Sequence, residues 1–174
     1  MKRKENSQLP WSETKSYAIK VVRVSEGAPS CKIDHPKRAA TYWRHTITSE
    51  RWFDPGKEHL VAIILSTRYG VHGHSLVSIG SLNESIAHPR EIFRAAVAGG
   101  GYGIILMHNH PSGDPSPSES DQRLTKRITE CGELLQIPMI DHIIVGKGRL
   151  YFSFKESEKN PKSKRSKKRP SKRS

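Results

Sequence analysis

Leu106-Met107-His108-Asn109-His110-Pro111-Ser112-Gly113-Asp114-Pro115-Ser116-Pro117-Ser118-Glu119-Ser120-Asp121 joins an apolar run to a helix start through a loop rich in Pro and Gly. The run from Gly103 to Met107 reads as a buried strand, bounded by glycine before it and by Pro111 and Gly113 after it. His108 and His110 close that strand at i and i+2. Alternate side chains of an extended chain share a face, so both imidazoles can approach one point while Asn109 points away. Beyond the loop, Ser116 suits an N-cap, Pro117 the first helical position and Glu119 the return half of a capping box, which predicts a helix from Pro117. Ser118 and Asp121 then lie three apart in its first turn, on one face, leaning back toward the histidines.

Two imidazole nitrogens and a carboxylate oxygen, with a fourth position left to water, are the ligand set of a catalytic zinc site. A structural zinc is closed by a fourth protein ligand, commonly Cys. Cys31 lies far upstream, and Cys131 falls ten residues after Asp121 on the same predicted helix. His108, His110 and Asp121 are therefore the candidate ligands of one Zn2+ per chain, with the Ser118 hydroxyl beside them. A second H-x-H, His72 and His74, has glycine between its members and no carboxylate at the strand end, and reads as a pair of surface histidines.

The spacing His108-x-His110, seven residues, Ser118, two residues, Asp121 resembles the JAMM motif of the JAB/MPN metalloprotease family. The form H-N-H-P-S-G-D-P-x-P-S-x-x-D is closer to its RadC-like branch. The likeness continues through Gly80–Ser85, His88–Ala96, Leu124–Arg127 and Ile140–Gly146, and covers about Lys57 to Glu156. It implies an α/β (α+β) fold with a mixed, largely antiparallel sheet flanked by helices, of the cytidine deaminase-like kind. It also implies a zinc hydrolase of peptide or isopeptide bonds acting on a peptide or protein, with a glutamate upstream of the HxH pair as general acid and base. Glu58, just before the first core strand, stands at the matching place. With such a zinc site, Ser118 Oγ would stabilise the oxyanion of the tetrahedral intermediate. Asp141-His142 is either a support for the metal histidines or an ordinary polar pair at a strand end. RadC-like proteins often carry an N-terminal helix-hairpin-helix type segment, for which the residues before Lys57 are too few, so a stand-alone catalytic domain is expected and the branch's DNA-repair association weakens.

The chain's 174 residues suit one domain with tails. Its net charge is +13, but Lys159 to Ser174 hold nine Lys/Arg and no acid, and removing them leaves about +4 for the rest. The expected organisation is a disordered basic leader over 1–16, a strand, loop and short helix over 17–56, the catalytic domain over 57–156 and a disordered Lys/Arg/Ser-rich tail over 157–174. The tail's charges lack aromatic stacking partners, which fits salt-sensitive, nonspecific association with nucleic acid. That supports a second reading of the chain, as a DNA-associated RadC-like protein with weak or unidentified hydrolase activity. A nuclease reading of the letters H-N-H fails because that class spreads its histidines over a ββα unit. Two Cys far apart make no disulfide framework, and there is no leading apolar segment or 18-residue apolar run. A reducing, cytoplasmic setting without membrane contact is expected.

The remaining elements follow from periodicity. Strands are predicted over 17–24, 59–66, 71–79, 140–145 and 149–154, the last two flanking a Gly146-Lys147-Gly148 turn. A short helix is predicted over 37–46. A second, over 89–98, presents Ile92, Phe93, Ala96 and Val97 and ends at Gly99-Gly100-Gly101. A third runs from the motif to about Gln136, buried through Leu124, Ile128, Leu134 and Leu135, with Pro138 enforcing its end.

Overall fold

A computed structural model describes residues 31–80 and 87–159, together with a short strand at Val22–Arg23. The leader, most of the strand predicted over 17–24, the stretch Ser81–Ser85 and the tail beyond Lys159 lie outside the described residues.

One mixed sheet organises the chain. Its strands are β1 (Val22–Arg23), β2 (His59–Leu65), β3 (Val71–Ile79), β4 (Gly103–Asn109), β5 (Met139–Val145) and β6 (Tyr151–Ser153), in the order β1-β3-β2-β4-β5-β6. Only β4 and β5 pair in parallel, and every other pairing is antiparallel. The helices are α1 (Pro36–His45), α2 (Pro89–Ala98), α3 (Glu119–Leu135) and α4 (Phe154–Lys159). This is the expected α/β architecture.

β2 and β4 are buried along their whole length because both faces of the sheet are covered. Alternation divides their side chains between two cores. Val61, Ile63, Leu65, Ile105 and Met107 pack with Trp43, Tyr42 and Ile47 of α1 and the turn after it. Leu60, Ala62, Ile64, Ile104 and Leu106 pack with Ile92 and Phe93 of α2 and Leu124 and Ile128 of α3. His108, two residues past Leu106, consequently faces the α3 side.

Four expectations need correction. First, Lys57 is not a packing boundary, since α1 forms one of the two cores, and residues 157–159, expected in the disordered tail, belong to α4. Trp43→Ala should therefore cost about 3–5 kcal/mol in urea denaturation, and a loss below about 1 kcal/mol would show α1 to be dispensable to the sheet. Second, Leu134 and Leu135 are exposed, at 85% and 48%, and Val97 is exposed at 62%. The buried stripe of α3 runs Asp121, Leu124, Ile128, Gly132, and Gly132 lets the helix approach the chain so closely that a Cβ there would lie 2.7 Å from the Ile137 carbonyl. Leu134 is about 200° around the helix from Gly132 and faces solvent. Third, His74 is not a surface residue. It is buried, 2.9 Å from the Tyr42 hydroxyl and 3.2 Å from Glu50 Oε1, the latter out of line for a hydrogen bond; His72 is exposed as expected. Fourth, α3 starts at Glu119 rather than Pro117, with Ser118 as its N-cap. Ser116 is turned back into the loop instead, its N–H and hydroxyl both donating to Asp114 Oδ1, at 2.9 and 2.7 Å. The capping box is thus Ser118 with Asp121: Asp121 N–H donates to Ser118 Oγ at 3.2 Å, and Ser118 N–H donates to Asp121 Oδ2 at 2.7 Å.

Candidate metal centre

The site forms where β4 ends, at the carboxyl edge of the parallel pair. His108 is the penultimate residue of β4 and His110 follows it, so the i, i+2 spacing puts both rings on the α3 side. The loop after them is fixed by close backbone approach. Gly113 has φ +83° and its carbonyl accepts from Lys147 N–H at 2.9 Å, while a Cβ on Gly146 would lie 2.5 Å from that carbonyl. Asp121 reaches back from the first turn of α3, its carboxylate held by the capping box.

His108 Nε2, His110 Nε2 and the Asp121 carboxylate form a triangle. The separations are 3.1 Å between the two nitrogens, 3.2 Å from His108 Nε2 to Oδ1 and 3.6 Å from His110 Nε2 to Oδ2. Ligand atoms about 2.0–2.1 Å from a tetrahedral ion stand about 3.3 Å apart, and the three side chains lie close to that spacing, with one ligand atom from each within 4.8 Å of the others. Among the described residues this is the group of His, Cys, Asp and Glu that could hold a metal ion.

Proton placement supports the same fit. Thr125 Oγ1 lies 2.6 Å from the Asp121 backbone carbonyl and 2.6 Å from His142 Nδ1. The carbonyl can only accept, so the single hydroxyl proton goes to it and His142 Nδ1–H donates to Thr125. Burial holds the pKa of His142 well below the ordinary imidazole range, so its Nε2 is a bare acceptor. His108 Nδ1–H donates to that nitrogen at 2.9 Å, which leaves His108 Nε2 with an outward lone pair. His110 Nδ1–H donates to the Asp114 carbonyl at 2.8 Å and likewise turns Nε2 inward. Two lone pairs and a carboxylate facing one another suit a cation between them.

The field of the cluster agrees. The Asp121 carboxylate raises the pKa of His110 against the opposing effect of burial, with the Asp114 carbonyl and the Glu58 charge adding to the rise. Burial would raise Asp121, but the facing imidazoles of His108 and His110 and the Ser118 hydroxyl outweigh it and hold the carboxyl well below the usual carboxylate range.

Glu58, Ser118, His110 and Asp121 line one open cavity of about 610 Å³, so the structure brings the predicted residues together. Ser118 is engaged there: its hydroxyl donates to Asp121 Oδ2 at 2.6 Å. Asp141 and His142 part company because neighbours on a strand face opposite sides. His142 joins the site, whereas the Asp141 carboxylate accepts from Ser153 Oγ at 2.6 Å and Lys155 N–H at 3.1 Å, across the sheet at the start of α4.

Two residues of the site escaped sequence reasoning. Thr125 carries the hydrogen-bond relay, and its only signal is its position one helical turn after Asp121. Asn109 points away from the histidines, as expected, but its destination is informative. Its Oδ1 accepts from His59 N–H at 3.0 Å and its Nδ2 donates to the Lys57 carbonyl at 2.9 Å. The peptide groups on both sides of Glu58 are thereby tied to the strand that carries His108.

Comparison with known proteins accords with this geometry. A UPF0758 protein of Clostridium acetobutylicum is 46% identical over 127 residues, covering 73% of this chain and 53% of the relative. One from Methanosarcina mazei is 42% identical over 128 residues, covering 74% and 53%, and one from Clostridium kluyveri is 53% identical over 100 residues, covering 58% and 43%. The chain thus spans about half the length of the curated relatives it matches. No helix among the described residues is long and apolar enough to cross a membrane. Residues 33–159, which take in both cores, the histidine-aspartate triangle and Glu58, match the family described as the RadC-like JAB domain, and the chain belongs to that family.

Proposed function

We propose that the chain is a zinc-dependent hydrolase of peptide or isopeptide bonds, with His108, His110 and Asp121 holding the ion and Glu58 and Ser118 acting on the substrate. The observation that carries this reading is the triangle of two inward lone pairs and a carboxylate beside a cavity that also contains Glu58. A bound zinc ion supplies Lewis acidity and lowers the pKa of a water from about 15.7 to about 7.

The protein's own groups do the rest. Glu58 accepts the proton of the attacking water and delivers it to the leaving amine, which keeps the transfer neutral overall and is worth about 10²–10⁴-fold. Ser118 Oγ–H turns from Asp121 toward the developing oxyanion, the stronger acceptor, at a site where one such donor is typically worth about 2.7–4 kcal/mol. The Ser118 backbone N–H continues to hold Asp121 Oδ2 during that change. Asn109 fixes the backbone that presents Glu58, and the Thr125–His142 relay fixes the tautomer and plane of His108.

The test is a peptide and isopeptide library incubated with the zinc-loaded chain, with and without chelator. Cleavage that chelator abolishes and zinc restores is the expected result; cleavage indifferent to chelator rules the reading out. The relay makes a separate prediction. His142→Ala should weaken zinc affinity by about 10–100-fold, read by competition with a chromophoric chelator, while Asp141→Asn should leave it unchanged. Equal affinity in His142→Ala would remove the relay from the account of the site.

A further inference from the structure

We propose that the cavity on the far side of the His110-Pro111-Ser112 ridge is a subsite for an acidic side chain, Asp or Glu, of the substrate peptide, held by Arg44 and Lys147. The occupant's being a peptide rests on the hydrolase reading above; the charge it carries rests on the cavity alone.

Two cavities meet at that ridge. One, described above, contains Glu58 and Ser118, and the other, of about 460 Å³, extends between α1 and the β5–β6 turn. A chain laid across His110 to present a peptide bond to the zinc ligands must place residues in both. The second cavity is walled by Trp43, Phe53 and Val145, which suits the methylene stem of a side chain. The charged side chains lining it are Arg44 and Lys147, and no Asp or Glu lines it. Neither cation forms an ion pair among the described residues.

Arg44 is the sharper of the two. One of its terminal nitrogens donates to the Leu150 carbonyl at 3.3 Å, but Nε is buried and meets no acceptor among the described residues. A buried donor left unpaired costs about 1–3 kcal/mol; Nε has almost no exposed surface, so a carboxylate entering the cavity would pair with the terminal nitrogens of the guanidinium. Burial and the nearby positive charge of Arg149 both lower the Arg44 pKa, so positive charge accumulates here without a counterion. A planar guanidinium beside a flexible ammonium is a usual pair for a carboxylate.

The experiment uses the full zinc-loaded chain carrying Glu58→Gln, so that bound peptides survive, labelled with nitrogen-15. Blocked hexapeptides in which a single Glu is walked through the positions are titrated beside twins bearing Gln. At least one Glu peptide should bind about tenfold more tightly than its Gln twin, the size of one charge-assisted hydrogen bond, and should shift the Arg44 Nε–H resonance. Arg44→Gln should bring the Glu/Gln ratio near one with zinc content unchanged, and Lys147→Glu, at an exposed position, should do so even if Arg44→Gln fails to fold. Equal binding of all twins, a ratio that survives Lys147→Glu, or an Arg44 resonance moved by oligothymidylate and by no peptide would each overturn the subsite. Glu preference without cleavage in the wild type would uphold the subsite and sink the hydrolase reading. Cleavage by the wild type with no Glu/Gln discrimination would do the reverse.

Discussion

Glu58→Gln should retain zinc and melting temperature near wild type while hydrolysis falls by about 10²–10⁴-fold. The substitution keeps the size and hydrogen-bonding reach of the side chain and removes only the basic carboxylate. Glu58 lies outside the ligand triangle, and the backbone that carries it is anchored by Asn109 through peptide groups that the change does not touch. Metal binding and proton transfer are therefore separable at this residue. The measurement is kcat on a peptide that wild type cleaves, beside elemental analysis and a thermal melt. Near-normal turnover would place the base elsewhere. Asp141 is a poor substitute, because its carboxylate lies across the sheet with Ser153 and Lys155. Glu84, outside the described residues, would be the next to try.

For His110→Ala the expected result is loss of metal, from about one zinc per chain to below about 0.1 after gel filtration. His108 and Asp121 alone leave the triangle without its third corner. The fold should survive, because His110 is only partly buried and Asp121 keeps its capping contacts with Ser118. The control is His72→Ala, an exposed member of the other H-x-H. His74 is unsuitable for that purpose, since its removal would also undo packing against Tyr42. Stoichiometric zinc in His110→Ala, or zinc lost from His72→Ala instead, would show that the wrong histidines have been assigned.

Ser118→Ala would be harder to interpret than Glu58→Gln. The hydroxyl is both the N-cap of α3 and a donor to the Asp121 carboxylate, so its loss would mix helix capping, worth about 1 kcal/mol, with any effect on rate. The same fact shows why the helix start was misread from sequence. Ser116-x-x-Glu119 and Ser118-x-x-Asp121 are both capping-box patterns, and only the diversion of Ser116 to Asp114 decides between them.

The residues and their local geometry were determined by sequence. An apolar run closed by His-x-His places two imidazoles on one face through the period of two, and a helix start brings an aspartate back toward them. These are short-range consequences of backbone geometry and survive any packing. Partners across the sheet were decided by tertiary structure alone. The parallel register that pairs Leu106 with His142 and His108 with Ile144 brings the His142 ring against His108, and the strand order puts the entrance of β2 beside Asn109. The exposed Leu134 and Val97 and the buried His74 belong to the same class. Amphipathic periodicity names a face but not what covers it, and only the close approach of α3 at Gly132 and of α1 at Tyr42 settles which side chains are buried. The sequence thus names the groups that can hold a metal ion, and the fold sets which nitrogen of each histidine is free to do so.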